Sequence, residues 1–262
     1  MKKRVLVFAV ILVLSLLLFN WVFFGLFEHK KSDRQAYLDQ IKVNGSGNVV
    51  TEKRDVSGLN YIVCGDDVFQ TNLIVDQGDA DYITIEAEDN VIPQIKTVYE
   101  ADAIPHPGFS ITYSGDMPRP TKPINIHITT KKLDELVFIG EGNLTINNVN
   151  NNNLNLRLSR VNKTTLNNVK TNNLIISLTM NTKMYATGQT DTQNVSVATG
   201  SSYQADGLTS RVAIVFVSGN SKATVNVSEF LSAEIKDFGE ILYKGNPQVN
   251  QSTILGKISK IT

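Results

Sequence analysis

A repeat of about 20 residues in the second half of the chain is the sequence feature that most constrains the fold. An apolar column recurs at Phe138, Leu158, Leu178, Val197, Val217 and Ile235, with successive spacings of 20, 20, 19, 20 and 18 residues. Three further columns are defined relative to the first one. Their members lie two positions before, six positions after and eight positions after each member of the first column. Their members are Leu136, Leu156, Ile176, Val195, Val215 and Ala233; Leu144, Thr164, Met184, Tyr203, Ala223 and Ile241; and Ile146, Leu166, Ala186, Ala205, Val225 and Tyr243.

Within each unit the apolar positions are two residues apart, which is the period of a β-strand with one buried face. The five-residue links between the two strands of a unit are small or polar, as turns require. One such unit cannot bury its own apolar face, but stacked units can. The predicted fold class is therefore all-β, a right-handed parallel β-helix or solenoid with coils of about 20 residues. An antiparallel sandwich or barrel is the alternative, but it does not require a constant spacing.

Asparagine pairs repeat with the same period. Asn147 and Asn148 recur as Asn167 and Asn168, and Asn152 and Asn153 recur as Asn172 and Asn173. In stacked coils, equivalent amides can hydrogen-bond along a ladder, as they do in cross-β assemblies. The alternative is a low-complexity polar tract. The leucines and valines between the asparagines favour the ladder.

The segment before the repeat is less regular but also reads as β-structure. Ile41, Val43 and Val49 fit the coil template, so we expect a first coil there. Further strands are predicted at 60–65, 67–75, 81–87 and 124–130. We expect one continuous domain over 41–262, preceded by a charged juxtamembrane linker over 28–40.

The N-terminal segment predicts a membrane anchor. After three basic residues, positions 5–27 carry no charge. As a helix this run would be about 34 Å long, enough to cross a hydrocarbon core of about 30 Å. A cleaved secretory signal is the alternative, but such signals have a shorter apolar core and a small-residue cleavage site. We favour an uncleaved signal-anchor over 1–27, a single-pass protein of the cytoplasmic membrane, and a C-terminal domain in an extracytoplasmic space.

Charge and cysteine content exclude several classes of site. The chain has 25 basic and 25 acidic residues, so it lacks the basic footprint of a nucleic-acid-binding protein. The single cysteine, Cys64, cannot form an internal disulfide and is interpreted as a small buried apolar residue. His29, His106 and His127 are scattered, which argues against zinc. The sequence indicates no catalytic, cofactor-binding or metal-binding residues, and no cofactor.

Three separated motifs resemble a known bacterial family. They are residues 45–58 (GSGNVVTEKRDVSG), the turns 140–143 (GEGN) and 218–221 (SGNS), and the ending 243–247 (YKGNP) followed by 254–258 (ILGKI). Together they are similar to the "putative auto-transporter adhesin, head GIN" domain family over nearly all of 41–262. The resemblance implies a β-solenoid and adhesion, and it brings no catalytic residues. The turns 159–162 and 179–182 depart from the Gly-Ser-Gly pattern of the family.

Three functions are compatible with this sequence. The first is a non-enzymatic envelope protein that binds envelope proteins or glycans through a solenoid face, as an adhesin-like or structural module. The second is an envelope sensor or signalling accessory with a membrane partner. The third is a polysaccharide-active enzyme, which would need two carboxylates roughly 5–10 Å apart. No Asp or Glu occurs between Glu141 and Asp191, so the central coils argue against the third function.

Overall fold

The computed structural model describes residue 41 and residues 43–65, 70–100, 107–114 and 118–262. The predicted anchor 1–27 and linker 28–40 lie outside these residues. Within the described part, the one helical element is the short 3-10 helix Ile92–Gln94, and no helix is long and apolar enough to cross a membrane. The strands are β1 Val49–Asp55, β2 Tyr61–Gly65, β3 Thr71–Gln77, β4 Tyr82–Glu88, β5 Ile95–Glu100, β6 Gly108–Tyr113, β7 Ile124–Thr130, β8 Glu135–Ile139, β9 Asn143–Asn147, β10 Asn150–Ser159, β11 Lys163–Thr179, β12 Lys183–Val197, β13 Ser202–Val217, β14 Ser221–Ile235, β15 Gly239–Lys244, β16 Gln248–Thr253 and β17 Lys257–Lys260.

From β8 onward, the chain winds as a parallel β-solenoid whose coil length matches the predicted repeat. The column that begins at Leu136 continues in register through Leu156, Ile176, Val195 and Val215 to Ala233. Every member of the four predicted columns is buried, except Tyr243, which is half-buried. The parallel solenoid and its spacing are therefore confirmed, whereas the right-handed sense stays a prediction.

Each coil has a third flank that the two-strand prediction missed. β11 runs for 17 residues and bends within its length. Val169 and Thr171 point inward, Asn172 and Asn173 are both exposed, and inward alternation resumes at Leu174. Two successive exposed residues mark a corner where the strand passes to the next flank. The apolar sequence pattern did not reveal this flank, because few of its residues are buried and its exposed residues include asparagines.

The first half forms rungs of the same solenoid, but not in chain order. β2 lies between β6 and β8 and is parallel to both, and β3 lies likewise between β7 and β9. The rung made of β2 and β3 is thus inserted between the β6–β7 and β8–β9 rungs, which are later in sequence. The predicted strands at 60–65, 81–87 and 124–130 are present as β2, β4 and β7, with boundaries shifted by at most one residue, and the strand predicted at 67–75 is present as β3. Positions 67–69 of that prediction lie outside the described residues.

Antiparallel strands close the end of the solenoid nearest the N-terminus. β1 pairs with β4, β4 pairs with β7, and β5 pairs with β6, all antiparallel. Val43 and Val49 are 59% and 43% exposed, so the predicted first coil at 41–49 is wrong. These antiparallel strands take the place of a further parallel coil. They cover strand edges that an open solenoid end would leave unpaired.

Glu88, at the end of β4, holds this cap together. Its buried carboxylate accepts hydrogen bonds from the Gly47 amide at 2.7 Å, the Thr121 amide at 2.8 Å and the Thr121 hydroxyl at 2.5 Å. Burial by itself raises the pKa of Glu88, but these hydrogen bonds from Thr121, Gly47 and the Lys122 amide outweigh it and lower the pKa below its ordinary value. One ionised side chain therefore joins the segments around residues 47 and 121 to β4.

Candidate binding surface

The predicted asparagine ladders are present on the outside of the coils. The Nδ2 atom of Asn167 donates to Oδ1 of Asn147 at 2.8 Å, and Asn168 donates to Asn148 at 3.0 Å. At the next corner, Asn172 donates to Asn152 at 3.3 Å and Asn173 donates to Asn153 at 2.9 Å. All four contacts join equivalent positions of adjacent coils, so the ladder hypothesis is confirmed.

Two rows of polar contacts lie in the first half of the chain, where the sequence pattern did not reveal them, and one of these rows extends the Asn147–Asn167 ladder. Asn143 donates to Asn72 at 3.1 Å, and Asn72 donates to Asn125 at 3.0 Å. In the neighbouring row, Asn147 donates to Asp76 at 2.7 Å, and the other Asp76 oxygen contacts the Nε2 atom of His127 at 2.5 Å. These rows make the outer face of β7, β3, β9 and β11 a continuous strip of amide and carboxylate groups.

The ladders make a testable contribution to stability. Replacing both Asn147 and Asn167 with alanine removes a half-buried amide contact and the link to Asp76. We expect the free energy of unfolding to fall by about 1–2 kcal/mol, the usual net value of one or two hydrogen bonds. Urea unfolding followed by circular dichroism measures this change. Asn155→Ala is the matched control, since the Asn155 side chain makes no hydrogen bond within the described residues, and it should change stability by less than about 0.5 kcal/mol.

A polar groove of about 420 Å³ opens at the corner beside the Asn152–Asn172 ladder. It is formed by the end of β3, the turn after β7, the start of β10 and the middle of β11. Amides and lysines make up nearly all of its lining: Gln77, Lys131, Lys132, Asn150, Asn151, Asn152, Lys170, Thr171 and Asn172. No carboxylate lines this groove.

Two of these side chains build the groove. The Gln77 Nε2 atom donates to the Lys131 carbonyl at 3.0 Å and to Asn151 Oδ1 at 3.1 Å. The Gln77 Oε1 atom accepts a hydrogen bond from the backbone N–H of Asn150 at 2.8 Å. Asn151 Nδ2 in turn donates to the carbonyl of Leu133. Gln77 and Asn151 therefore tie three separate chain segments into one fixed wall.

Other side chains in the groove keep polar groups available. Lys132 pairs with Asp134 at 2.7 Å. The ammonium groups of Lys131 and Lys170 make no hydrogen bond or ion pair with the residues that the structure describes. The Asn150 side chain is likewise exposed and unbonded within those residues. The groove thus offers two unpaired positive charges next to a row of amides.

Sequence periodicity identified only part of this groove. Asn152 and Asn172 belong to the predicted ladder, because they are one coil apart in sequence. Gln77 and Lys131 could not be found in this way, since they come from rungs that are out of chain order. Their proximity to Asn150 depends on the insertion of β3 between β7 and β9.

Two carboxylates in later coils, at the corner that contains Asn172, form ion pairs with an arginine. Arg211 donates from Nε to Asp191 at 2.7 Å and from an Nη atom to Glu229 at 2.8 Å. The hydrogen bonds from Arg211 hold the pKa of Asp191 below its ordinary value, and those to Asp191 and Glu229 raise the pKa of Arg211. Both acids pair with the same guanidinium, so the three side chains link three successive coils at the surface.

One cysteine, Cys64, lies among the described residues. Cys64 is buried, and burial raises the pKa of its thiol to about 12; the prediction that it is a buried apolar residue is confirmed. Within the described ranges, no cluster of three His, Cys, Asp or Glu side chains could hold a metal ion.

The fold and the ladders define the class of protein: a parallel β-solenoid domain with an amide-rich outer surface. A family model described as "Putative auto-transporter adhesin, head GIN domain" matches residues 69–247. The chain belongs to this family, as the sequence motifs predicted.

Solved structures with the same fold come from Bacteroides and Parabacteroides species. A putative adhesin from Bacteroides fragilis has a TM-score of 0.73 at 19% identity and covers 84% of this chain and 100% of its own. A putative adhesin from Parabacteroides merdae has a TM-score of 0.64 at 20% identity, with 84% and 99% covered. A putative lipid binding protein from Parabacteroides distasonis has a TM-score of 0.61 at 22% identity, with 84% and 99% covered. None of the curated proteins matches the chain. At these identities the likeness concerns the fold alone.

Proposed function

We propose that the protein is a non-enzymatic, adhesin-like binding protein of the cell envelope that binds saccharide chains along its amide rows and in the polar groove. The observation that carries this proposal is the regular array of asparagine side chains on the coil surface. Stacked coils repeat the same group at each rung, about 4.8 Å apart. A repeating surface of this kind suits a repeating ligand.

The chemistry of a laddered amide supports a hydroxyl-rich ligand. An asparagine side chain has two N–H donors and two acceptor lone pairs. Each ladder contact uses one donor of one amide and one acceptor of the next, so every amide keeps at least one donor and one acceptor available toward solvent. Sugar hydroxyl groups both donate and accept, and they can pair with these groups. The ladder itself holds the amides in place, which reduces the entropy lost on binding.

We further propose that residues 1–27 anchor the protein in the bacterial inner membrane, with the solenoid outside the cytoplasm. The charge-free run over 5–27 and the basic residues before it support this proposal. Alkaline carbonate extraction of membranes tests it. An anchored chain stays in the membrane pellet at full length, whereas release of a shortened chain would contradict the anchor.

Binding is tested with the full-length protein in phosphatidylcholine nanodiscs on an array of bacterial and host polysaccharides. We expect at least one polysaccharide to be retained, and the Asn152→Ala, Asn172→Ala double variant to bind it at least fivefold more weakly. Two aligned hydrogen-bonding groups contribute about 1 kcal/mol or more together.

The matched control is the Asn155→Ala, Asn194→Ala double variant, which removes two amides from another flank and leaves the groove intact. It should bind like the unaltered protein. Circular dichroism of each variant verifies the fold. Retention of envelope proteins with no saccharide retained would contradict the proposal, as would turnover of any polysaccharide.

A further inference from the structure

We infer that the groove selects an anionic saccharide, with Lys131 and Lys170 contacting its acidic group. This inference rests on the proposed function and specifies the ligand of the same site. Lysines 131, 132 and 170 line the groove. Asp134, which pairs with Lys132, and Asp81, which accepts a hydrogen bond from the Lys131 backbone amide at 2.8 Å, lie beside the groove but do not line it. Although the whole chain carries 25 basic and 25 acidic residues, the groove therefore carries a local excess of positive charge.

The placement of the two unpaired lysines defines the shape of the ligand. Lys131 follows β7 and Lys170 lies on β11, and the strands between them are β3 and β9. At the groove itself, the end of β3 and the start of β10 lie between the two lysines, since Gln77 contacts both Lys131 and Asn150, and Asn150 pairs with Lys170. Three inter-strand steps separate the two lysine backbones by about 14 Å at the usual strand spacing. Between them lie Gln77, which fixes the wall, and Asn150, which faces solvent. The groove thus presents positive charge at both ends of a neutral hydrogen-bonding segment.

This order of groups favours an acidic sugar chain over a bare anion. An ammonium group is a strongly hydrated point charge that pairs with carboxylate or phosphate. Asn150, Asn152 and Asn172 supply uncharged donors and acceptors for the hydroxyls of the adjoining ring. A saccharide that carries carboxylate or phosphate satisfies both kinds of group at once, whereas a neutral chain leaves the lysines unpaired.

The test compares one sugar backbone with and without its charge. Full-length protein in phosphatidylcholine nanodiscs is titrated against polygalacturonate, its fully methyl-esterified form, phosphomannan and duplex DNA. We expect polygalacturonate to bind at least tenfold more tightly than its ester, and less tightly as salt is raised. The Lys131→Gln, Lys170→Gln variant should remove this difference. The Lys183→Gln, Lys257→Gln variant makes the same charge change outside the groove and should keep it.

The remaining outcomes separate the two levels of the proposal. Tighter binding of phosphomannan than of polygalacturonate supports the inference with phosphate as the anionic group. Equal affinity for polygalacturonate and its ester, still weakened by the asparagine variant, overturns the acidic preference and leaves the proposed function standing. Binding of no saccharide overturns both. Duplex DNA bound as tightly as polygalacturonate, and lost in the same lysine variant, overturns the inference because the groove would then attract any polyanion.

Discussion

Replacing Gly188 with alanine is expected to lower the free energy of unfolding by about 3 kcal/mol or more. Gly188 has a φ of +125° and pairs with Val169 of the preceding coil. A Cβ atom at this position would lie 2.1 Å from the Val169 carbonyl oxygen and 2.6 Å from its nitrogen. Both atoms belong to the backbone of the adjacent strand, so two coils would have to separate. Backbone strain and lost ladder contacts add to this cost.

Gly47→Ala is the matched control for this prediction. Gly47 also has a positive φ, of +78°, but nothing lies within 4 Å of its added Cβ. Its substitution should therefore cost only the conformational strain of about 1–2 kcal/mol. Equilibrium unfolding in urea measures both variants. A Gly188→Ala variant that is no less stable than Gly47→Ala would show that the coils are not packed as closely as described.

Glu88→Gln is expected to destabilise the protein by about 2 kcal/mol at pH 7. The glutamine keeps the size of the side chain but loses the charge that strengthens the contacts with Gly47 and Thr121. Its amide group would also turn two donors toward the backbone N–H groups of Thr121 or Gly47. Chemical unfolding at a series of pH values measures the change.

The pH dependence of stability follows from the lowered pKa of Glu88. The unfolded chain takes up a proton on this carboxyl at a higher pH than the folded chain does, so acid favours unfolding. The stabilisation is fully present above about pH 4.5 and is lost as pH falls through the folded-state pKa. We expect a shallower loss of stability below pH 4.5 in the glutamine variant. Glu234→Gln, at an exposed residue with no hydrogen bond in the described part, should leave the slope unchanged; an equal effect would refute the assignment.

The Glu88 contacts also explain the Gly-Ser-Gly opening, which is one of the motifs that resemble the family. Gly45 lies so close to Glu88 that a Cβ atom would fall 2.0 Å from the carboxylate oxygen Oε2. Ser46 donates to Asp89 at 2.5 Å, and its amide donates to Asn90 at 2.9 Å. The motif therefore has a structural role: its small residues allow the chain to cross the end of the solenoid and cover an ionised side chain.

The second half of the fold could be predicted because each coil repeats the environment of the last. A buried site such as Ile176 is bordered by Leu156 and Val195 in the adjacent coils. Selection for an apolar side chain therefore recurs at the coil length, and the Asn147–Asn167 contact follows from the same spacing. The sequence period is therefore the number of residues between two positions that stack on each other in adjacent coils.

The first half could not be predicted in this way, because its neighbours in space are not one coil apart in sequence. Leu73 of β3 pairs with Leu144 of β9. The Asn72 side chain donates a hydrogen bond to Asn125 of β7, which is not the next strand along the chain. One wall of the groove, formed by Gln77, Lys131 and Lys132, has the same origin. Lys131 and Gln77 meet Asn150 only because of the inserted rung, and no local pattern in a single sequence encodes that insertion.

The inserted rung also has a consequence for how the protein is assembled. β2 and β3 leave the ribosome before β6 to β9, yet both of their hydrogen-bonding edges are completed by those later strands. Pairing across such long separations closes large loops and is slow. Coils from β10 onward need only their immediate neighbours and can add one by one. The N-terminal rungs must therefore wait with unpaired edges until the later strands have formed, so this half of the chain is the most exposed to aggregation during folding.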